Sequence, residues 1–410
     1  MIRIALLLLS LFVAGVGCTV QELVVAEETE LVVAASSIDE ALLLDVGIVE
    51  FDPGIPENNR PEKTGVYEDI RLAEAKYIPY HLKTTLQATG HWGAVRVIPS
   101  RQAFTDVIVS GQIFQSDGEY VTVSVSVHDA AGRHWFTRSY EAQTGLTSYS
   151  ERRDRRRDPY QKIFNDVAND LQQFVTTVPA KQLQQTRQVS ELQFFADMSP
   201  LAFGEYLGED KSGVAKVLRL PAENDPSVSR MRQIRERDRL VVDTLNEHYA
   251  NFYYGIAIPY RSWRKTARAE SVKFRQEKRS AQLQALVGVV VLAAGTQIDT
   301  DSSSRNTRNI NRALQYQAIS RGINTVWGAI LRNRDAGLHQ EAIAELSESF
   351  GNEAAPMVVN VEGQERRLTG TAAAQYESWR KLLREIYEAE TGFSQSIEVG
   401  TPARAPEPTG

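Results

Sequence analysis

The side chains best suited to metal or nucleophilic chemistry are few and scattered. The histidines are His81, His91, His128, His134, His248 and His339, and the single cysteine is Cys18. No two histidines stand four residues apart, the spacing that sets a pair of imidazoles on one helix face around zinc. His128 and His134 can approach across a tight turn, but no third ligand stands nearby, and a zinc site needs three or four. A single thiol closes no disulfide within the chain. No G-x-S-x-G elbow, Walker loop, G-x-G-x-x-G turn or calcium loop occurs. Carboxylate pairs for acid–base work are assembled by fold rather than spacing, and 52 acidic residues allow many. The chemistry expected is therefore non-catalytic, with no metal and no cofactor; an envelope enzyme acting on peptidoglycan or another glycan is the alternative.

Cys18 sits where a thiol can be modified covalently. Ahead of it come Arg3, the apolar run Ile4 to Val13 broken by Ser10, and the small residues Ala14-Gly15-Val16-Gly17. That is the layout of a secretory signal over 1–17, shorter than the roughly 20 residues that span a bilayer as a helix. Val16-Gly17-Cys18 resembles the lipobox of bacterial lipoproteins. The resemblance implies that the Cys18 sulfur takes a diacylglycerol and the freed amine a further acyl chain. Each buried methylene then adds roughly 0.8 kcal/mol to a lasting membrane anchor. Thr19 in place of Asp implies, by the same resemblance, the outer membrane facing the periplasm. Cleavage without lipidation, leaving one thiol, is the alternative.

The chain has 410 residues, 42% apolar and 24% charged, with a net charge of -6. These are proportions of a folded multidomain protein, and the charge offers nothing to recruit nucleic acid. Residues 18–40 read as lipid anchor and tether, with an added first strand as the other reading of Val20 to Ser37. Leu42 to Phe51 then reads as a buried strand closed by Asp52-Pro53-Gly54. Glu68 to Thr89 has helical apolar spacing ending at Gly90, with Pro79 expected to bend or divide it. Ala94–Ile98, Asp106–Phe114, Tyr120–Asp129 and His134–Tyr140 follow as strands. The alternation Val121, Val123, Val125, Val127 buries one face, and Ala130-Ala131-Gly132 turns the last two into a hairpin. The fold class is α+β: a small helix-backed mixed sheet over 41–148, then a mainly α-helical domain with a long helical hairpin over 183–393.

The segments IPYHLKTTLQATGHWGAVRVIPS and DVIVSGQIFQSDGEYVTVSVSVHDAAGRHW resemble the small α+β domain shared by the TolB N-terminal domain, the curli secretion lipoproteins and the lipoprotein activators of penicillin-binding proteins. The resemblance covers about Asp45 to Tyr140. It implies envelope assembly by protein contact and carries no catalytic residue.

Between the two parts, 149–182 reads as a linker and a covering helix. Tyr149 to Asp158 holds five arginines among three acids, a solvated run by default. Ser199-Pro200 and Asp225-Pro226 should open helices. The second should run to about Tyr254, with Pro259 interrupting and a further helix over Tyr260 to Gly295. Tyr249, Phe252 and Tyr253 keep the i, i+3, i+4 spacing of a buried face, so the cluster from His248 to Trp263 reads as core rather than a sugar-stacking surface. Leu286 to Gly295 has no polar side chain. At 1.5 Å per residue it covers about half a bilayer core, so it cannot cross one alone. Leu286, Val287, Val290, Val291 and Leu292 are expected to form a self-association or partner-docking surface, with domain core and dipping into a leaflet as the other readings. Ile310 to Ile330 should return as an amphipathic helix, and a β-hairpin around Glu362-Gly363 precedes a last helix over Ala373 to Tyr387. Residues 394–410 should be disordered. The partners expected are the membrane, through the N-terminal lipid, and envelope proteins or a second copy.

Overall fold

The computed structural model describes residues 28–145, 147–150, 157–222, 224–295, 341–345, 348, 356–361 and 364–391, and over 277–295 only the backbone. Strands β1 (Val46–Val49), β2 (Val95–Ile98), β3 (Val107–Ser116), β4 (Tyr120–Asp129) and β5 (His134–Gln143) form one sheet in the order β2-β1-β3-β4-β5. β1 runs parallel to both β2 and β3, while β3, β4 and β5 form an antiparallel meander. The parallel pair is joined by α1 (Glu68–Thr89), the crossover that parallel pairing requires. The five strands expected between Leu42 and Tyr140 form this one helix-backed sheet.

The alternating valines of β4 are buried together on one face, against Ile78, Leu82 and Leu86 of α1 and Ile163, Phe164, Val167 and Leu171 of α2 (Gln161–Thr177). The i, i+4, i+8 spacing of Ile163, Val167 and Leu171 gives α2 one apolar stripe, and that stripe closes the sheet. Residues 28–37 form no strand among the described residues. They run as a tether over α2, where Asn165 and Asn169 donate to the carbonyls of Thr29 and Glu30.

Pro79 neither bends nor divides α1, which is continuous. A proline withholds its N–H from the carbonyl four residues back. Here that carbonyl, on Ala75, accepts the Phe51 N–H at 2.9 Å, so the chain leaving β1 supplies the missing donor.

α3 (Ala180–Met198) leads through one helical turn at Pro200–Phe203 into β6 (Leu207–Glu209) and β7 (Ala215–Val217), a hairpin not expected from the sequence. Its signal was present: the Asp210 carboxylate accepts the Ser212 and Val214 N–H groups, and Gly213 takes the left-handed φ of +77° that closes the turn. α4 (Pro226–Gly295) is one helix of 70 residues, about 105 Å long. The break expected at Pro259 is absent. The carbonyl that Pro259 frees belongs to Gly255, an exposed residue where water can serve as donor. β8 (Met357–Val361), β9 (Gln364–Leu368) and α5 (Ala372–Thr391) complete the described chain. Tyr376, Trp379, Leu383 and Ile386 of α5 pack with Val242, Leu245 and Tyr249 of α4 and with Val97 and Ile98 of the sheet, so one apolar cluster joins helical region and sheet. No described helix is long and apolar enough to cross a membrane.

Candidate functional site

α4 lies across the α+β unit, and the contacts along it form a graded series of polar clamps over an apolar seam. Phe252, Ile256, Tyr260, Trp263 and Ala267 recur every three or four residues and bury one stripe against Tyr67, which precedes α1, and Ile70, Ala73 and Tyr77 within it. Near its start, Arg239 reaches Asp45 at 3.2 Å, and Asp243 accepts two hydrogen bonds from Arg96 on β2. Asn246 takes the β2 edge N–H of Val97 at 3.0 Å, so the helix covers that end of the sheet. Tyr249 donates to Glu50 at 2.9 Å. The last described contact is Arg275, bonded to Glu119 and to the Tyr120 hydroxyl on β4.

The centre of the series is dry. Arg264 grips Asp158 with two hydrogen bonds of 2.9 and 2.8 Å, and both side chains are buried. Asp158 also accepts from the Tyr77 hydroxyl at 2.9 Å and from the Tyr160 N–H at 2.8 Å. The carboxylate's lone pairs are therefore all engaged, while Arg264 Nε forms no hydrogen bond among the described residues. The guanidinium lies 4.1 Å over the Tyr260 ring, with Tyr160 and Tyr77 beyond. Burial opposes ionisation of Asp158, yet the charge and hydrogen bonds of Arg264 outweigh it and hold the carboxyl well below the usual carboxylate range.

One turn before Arg264, Tyr260 of α4 donates at 2.7 Å to Glu74 of α1, which is wholly buried and also accepts from Ser116 at 2.5 Å, with Arg71 at 3.8 Å. Here burial wins, and the Glu74 pKa is raised despite Arg71 and both donors. His81 bonds the Tyr253 hydroxyl and Gln161, and burial lowers its pKa. Gly118, at the β3–β4 turn, lies against the helix: a Cβ there would meet the Arg264 carbonyl at 2.2 Å, and its φ is +81°. The Tyr149 hydroxyl donates to the Gly118 carbonyl at 2.7 Å and ties the turn down.

Tyr149 and Asp158, the ends of the charge run expected to be a solvated linker, are thus buried anchor points; 151–156 lie outside the described residues. No spacing rule links Asp158 to Arg264. The local sign was only that Asp158 closes the run just before Pro159-Tyr160, at the start of α2.

Cys18, the proposed lipidation site, lies outside the described residues, as do His339, the returning segment Ile310–Ile330 and the tail 394–410. Leu286, Val287, Val290, Val291 and Leu292 belong to the last turns of α4, where only the backbone is described. Tyr249, Phe252, Tyr260 and Trp263 are buried as expected of core, and Tyr253 packs on Tyr77. Tyr254 is 66% exposed and falls outside that face. His128 and His134 do meet, with ring centroids 4.9 Å apart; no group of three metal-ligating side chains occurs among the described residues.

No protein-family model, curated protein or solved structure matches this chain. The buried series is therefore read on its own physics. An ion pair sealed between α1, α2 and α4 offers no room to a substrate and fixes the angle at which α4 leaves the α+β unit.

Proposed function

We propose that the protein is an outer-membrane-anchored periplasmic lipoprotein that works as a non-catalytic assembly or binding protein of the cell envelope, with Cys18 carrying the lipid. The observation that carries this reading is the rooted helix. α4 is clamped to the α+β unit from Arg239 to Arg275, then continues for about 20 residues, roughly 30 Å, to end in the all-apolar run. A stiff arm with a fixed root presents its far end at a set distance and direction. That geometry serves contact between large bodies. The run Leu286–Gly295 supplies apolar surface for such contact, at roughly 25 cal/mol per Å² buried. The resemblance of Asp45–Tyr140 to domains that work by protein contact in the envelope points the same way.

The test is affinity purification from detergent-solubilised membranes. A stoichiometric partner or a second copy should accompany the protein and be lost from Val290→Asp with the helix content unchanged. A monomer without partners, or mass spectrometry of the mature protein showing an unmodified Cys18 thiol, would refute it. Cys18→Ser should release the protein from membranes or leave it unprocessed.

A further inference from the structure

Away from the buried joint, α3 and the first turns of α4 enclose an open cleft of about 320 Å³. Arg232, Arg235 and Arg239, spaced i, i+3 and i+7, bring three guanidinium groups to one face of α4, and Arg187 faces them from α3. The carboxylates of the lining are Asp106, Glu191 and Glu236. Arg232 is matched to Glu191 at 2.9 Å. Arg239 is shared between Asp45 at 3.2 Å and Glu236 at a loose 3.7 Å, and Arg187 stands 4.0 Å from Asp106 and donates to the Glu40 carbonyl.

Arg235 differs from these. Its Nη2 donates to Ser190 at 2.8 Å and to the Phe104 carbonyl at 3.2 Å, and no carboxylate lies within salt-bridge distance among the described residues. Nε and Nη1 form no hydrogen bond among the described residues. The acceptor is held in place unusually. Phe104 is the one described non-glycine residue with positive φ, at 48°, and its carbonyl also accepts from Ser190. The guanidinium is thus hydrogen-bonded to neutral groups, while Asp106, Glu191 and Asp45 act on it from beyond ion-pair distance. Burial, and then the charge of Arg239, push its pKa down, the direction a bound anion would reverse.

We infer that the cleft is a binding site for a phosphate group, seated on Arg235 and clasped by Arg187, Arg232 and Arg239. A planar guanidinium fork suits phosphate oxygens, and four such forks on two helices line one cleft, with Arg235 in no contact ion pair among the described residues. Glu236 holds Arg239 more loosely than Asp45 does and is the group a ligand displaces there. The phosphate comes from a free phosphorylated small molecule or from a lipid headgroup at the membrane surface.

The full chain is titrated calorimetrically with sodium pyrophosphate, and in parallel with vesicles of phosphatidylglycerol and of phosphatidylcholine. Pyrophosphate should bind saturably, and Arg235→Gln should weaken it about tenfold, the loss of one charge-assisted fork. Arg235→Lys should recover only part, since an ammonium keeps the charge without the fork. Arg187→Gln and Arg232→Gln, on partly exposed side chains, carry the test should Arg235→Gln not fold. Vesicle binding that pyrophosphate competes away assigns the lipid headgroup; pyrophosphate binding without vesicle binding assigns a free phosphate compound. Absence of both, affinity unchanged in Arg187→Gln and Arg232→Gln, or an equal loss in the remote Arg219→Gln would overturn the site.

Discussion

Two stretches of α4 use the same two chemical groups in opposite ways. Around Arg264, guanidinium and carboxylate are matched one to one, roofed by tyrosines and sealed from water. About 44 Å back along the helix, four arginines share an open cleft with Asp106, Glu191 and Glu236, Asp45 takes a further contact of Arg239, and Arg235 makes no contact ion pair among the described residues. In the dry joint a charge without its partner is intolerable, so the pair acts as a lock. In the open cleft a guanidinium without a contact ion pair is tolerable, so it can stay available to a ligand. Burial and matching, rather than residue type, separate a structural arginine from a recognising one.

The largest effect expected from breaking this contrast is at the lock. Arg264→Met leaves Asp158 buried and uncompensated and should lower the unfolding free energy in urea by about 3–5 kcal/mol. The double variant Arg264→Met, Asp158→Leu removes both charges and should recover most of that loss; a double variant as unstable as the single one would show that packing, not the orphaned charge, is responsible. Next comes Gly118→Ala, whose Cβ would press on the Arg264 carbonyl at 2.2 Å from a left-handed backbone. A loss of about 1–3 kcal/mol is expected, and one within error would mean that the β3–β4 turn yields freely.

The third prediction sets the lock against its neighbour by pH. Asp158 has a folded pKa below its unfolded value near 3.9, so its contribution is present above that pH and is lost as pH falls below it. Glu74 has a raised folded pKa, so stability falls as pH rises from about 4.3 through that folded value, where the native state holds the extra proton. Glu74→Gln should remove that decline from urea midpoints measured between mildly acidic and neutral pH, and an unchanged profile would assign the decline to other groups. The smallest effect belongs to the cleft rim: Arg232→Ala, on a side chain 59% exposed, should change stability by less than about 1 kcal/mol. A larger loss there would erase the distinction between lock and cleft.

The sheet was legible because its signals are local. Alternating valines, a Gly132 turn and the α1 stripe each fix one element, and the helix-backed meander follows from their order. What escaped the sequence was non-local compensation. Pro79 and Pro259 read as breaks because the Phe51 amide and the open Gly255 position are invisible to a window scan. Asp158 read as one more charge in a solvated run because its partner lies 106 residues away. The arginines at 232, 235 and 239 carry no local signature of a site, since Arg187, which faces them, sits on another helix. The proposed lipidation at Cys18 and the proposed contact role of the apolar run rest on position and composition alone, and both lie where the structure describes no side chain.

The amide of Phe51 in the backbone of α1 bears on the order in which the chain folds. Residues 68–89 on their own make a helix one hydrogen bond short, with a bare Ala75 carbonyl at its middle. The donor arrives only when the chain that leaves β1 is laid alongside, which closes a loop of 24 residues at modest entropic expense. Helix and strand therefore consolidate as a single cooperative event, and an excised 68–89 peptide should fray at Pro79 whereas a 41–98 fragment should protect the Phe51 amide from hydrogen exchange.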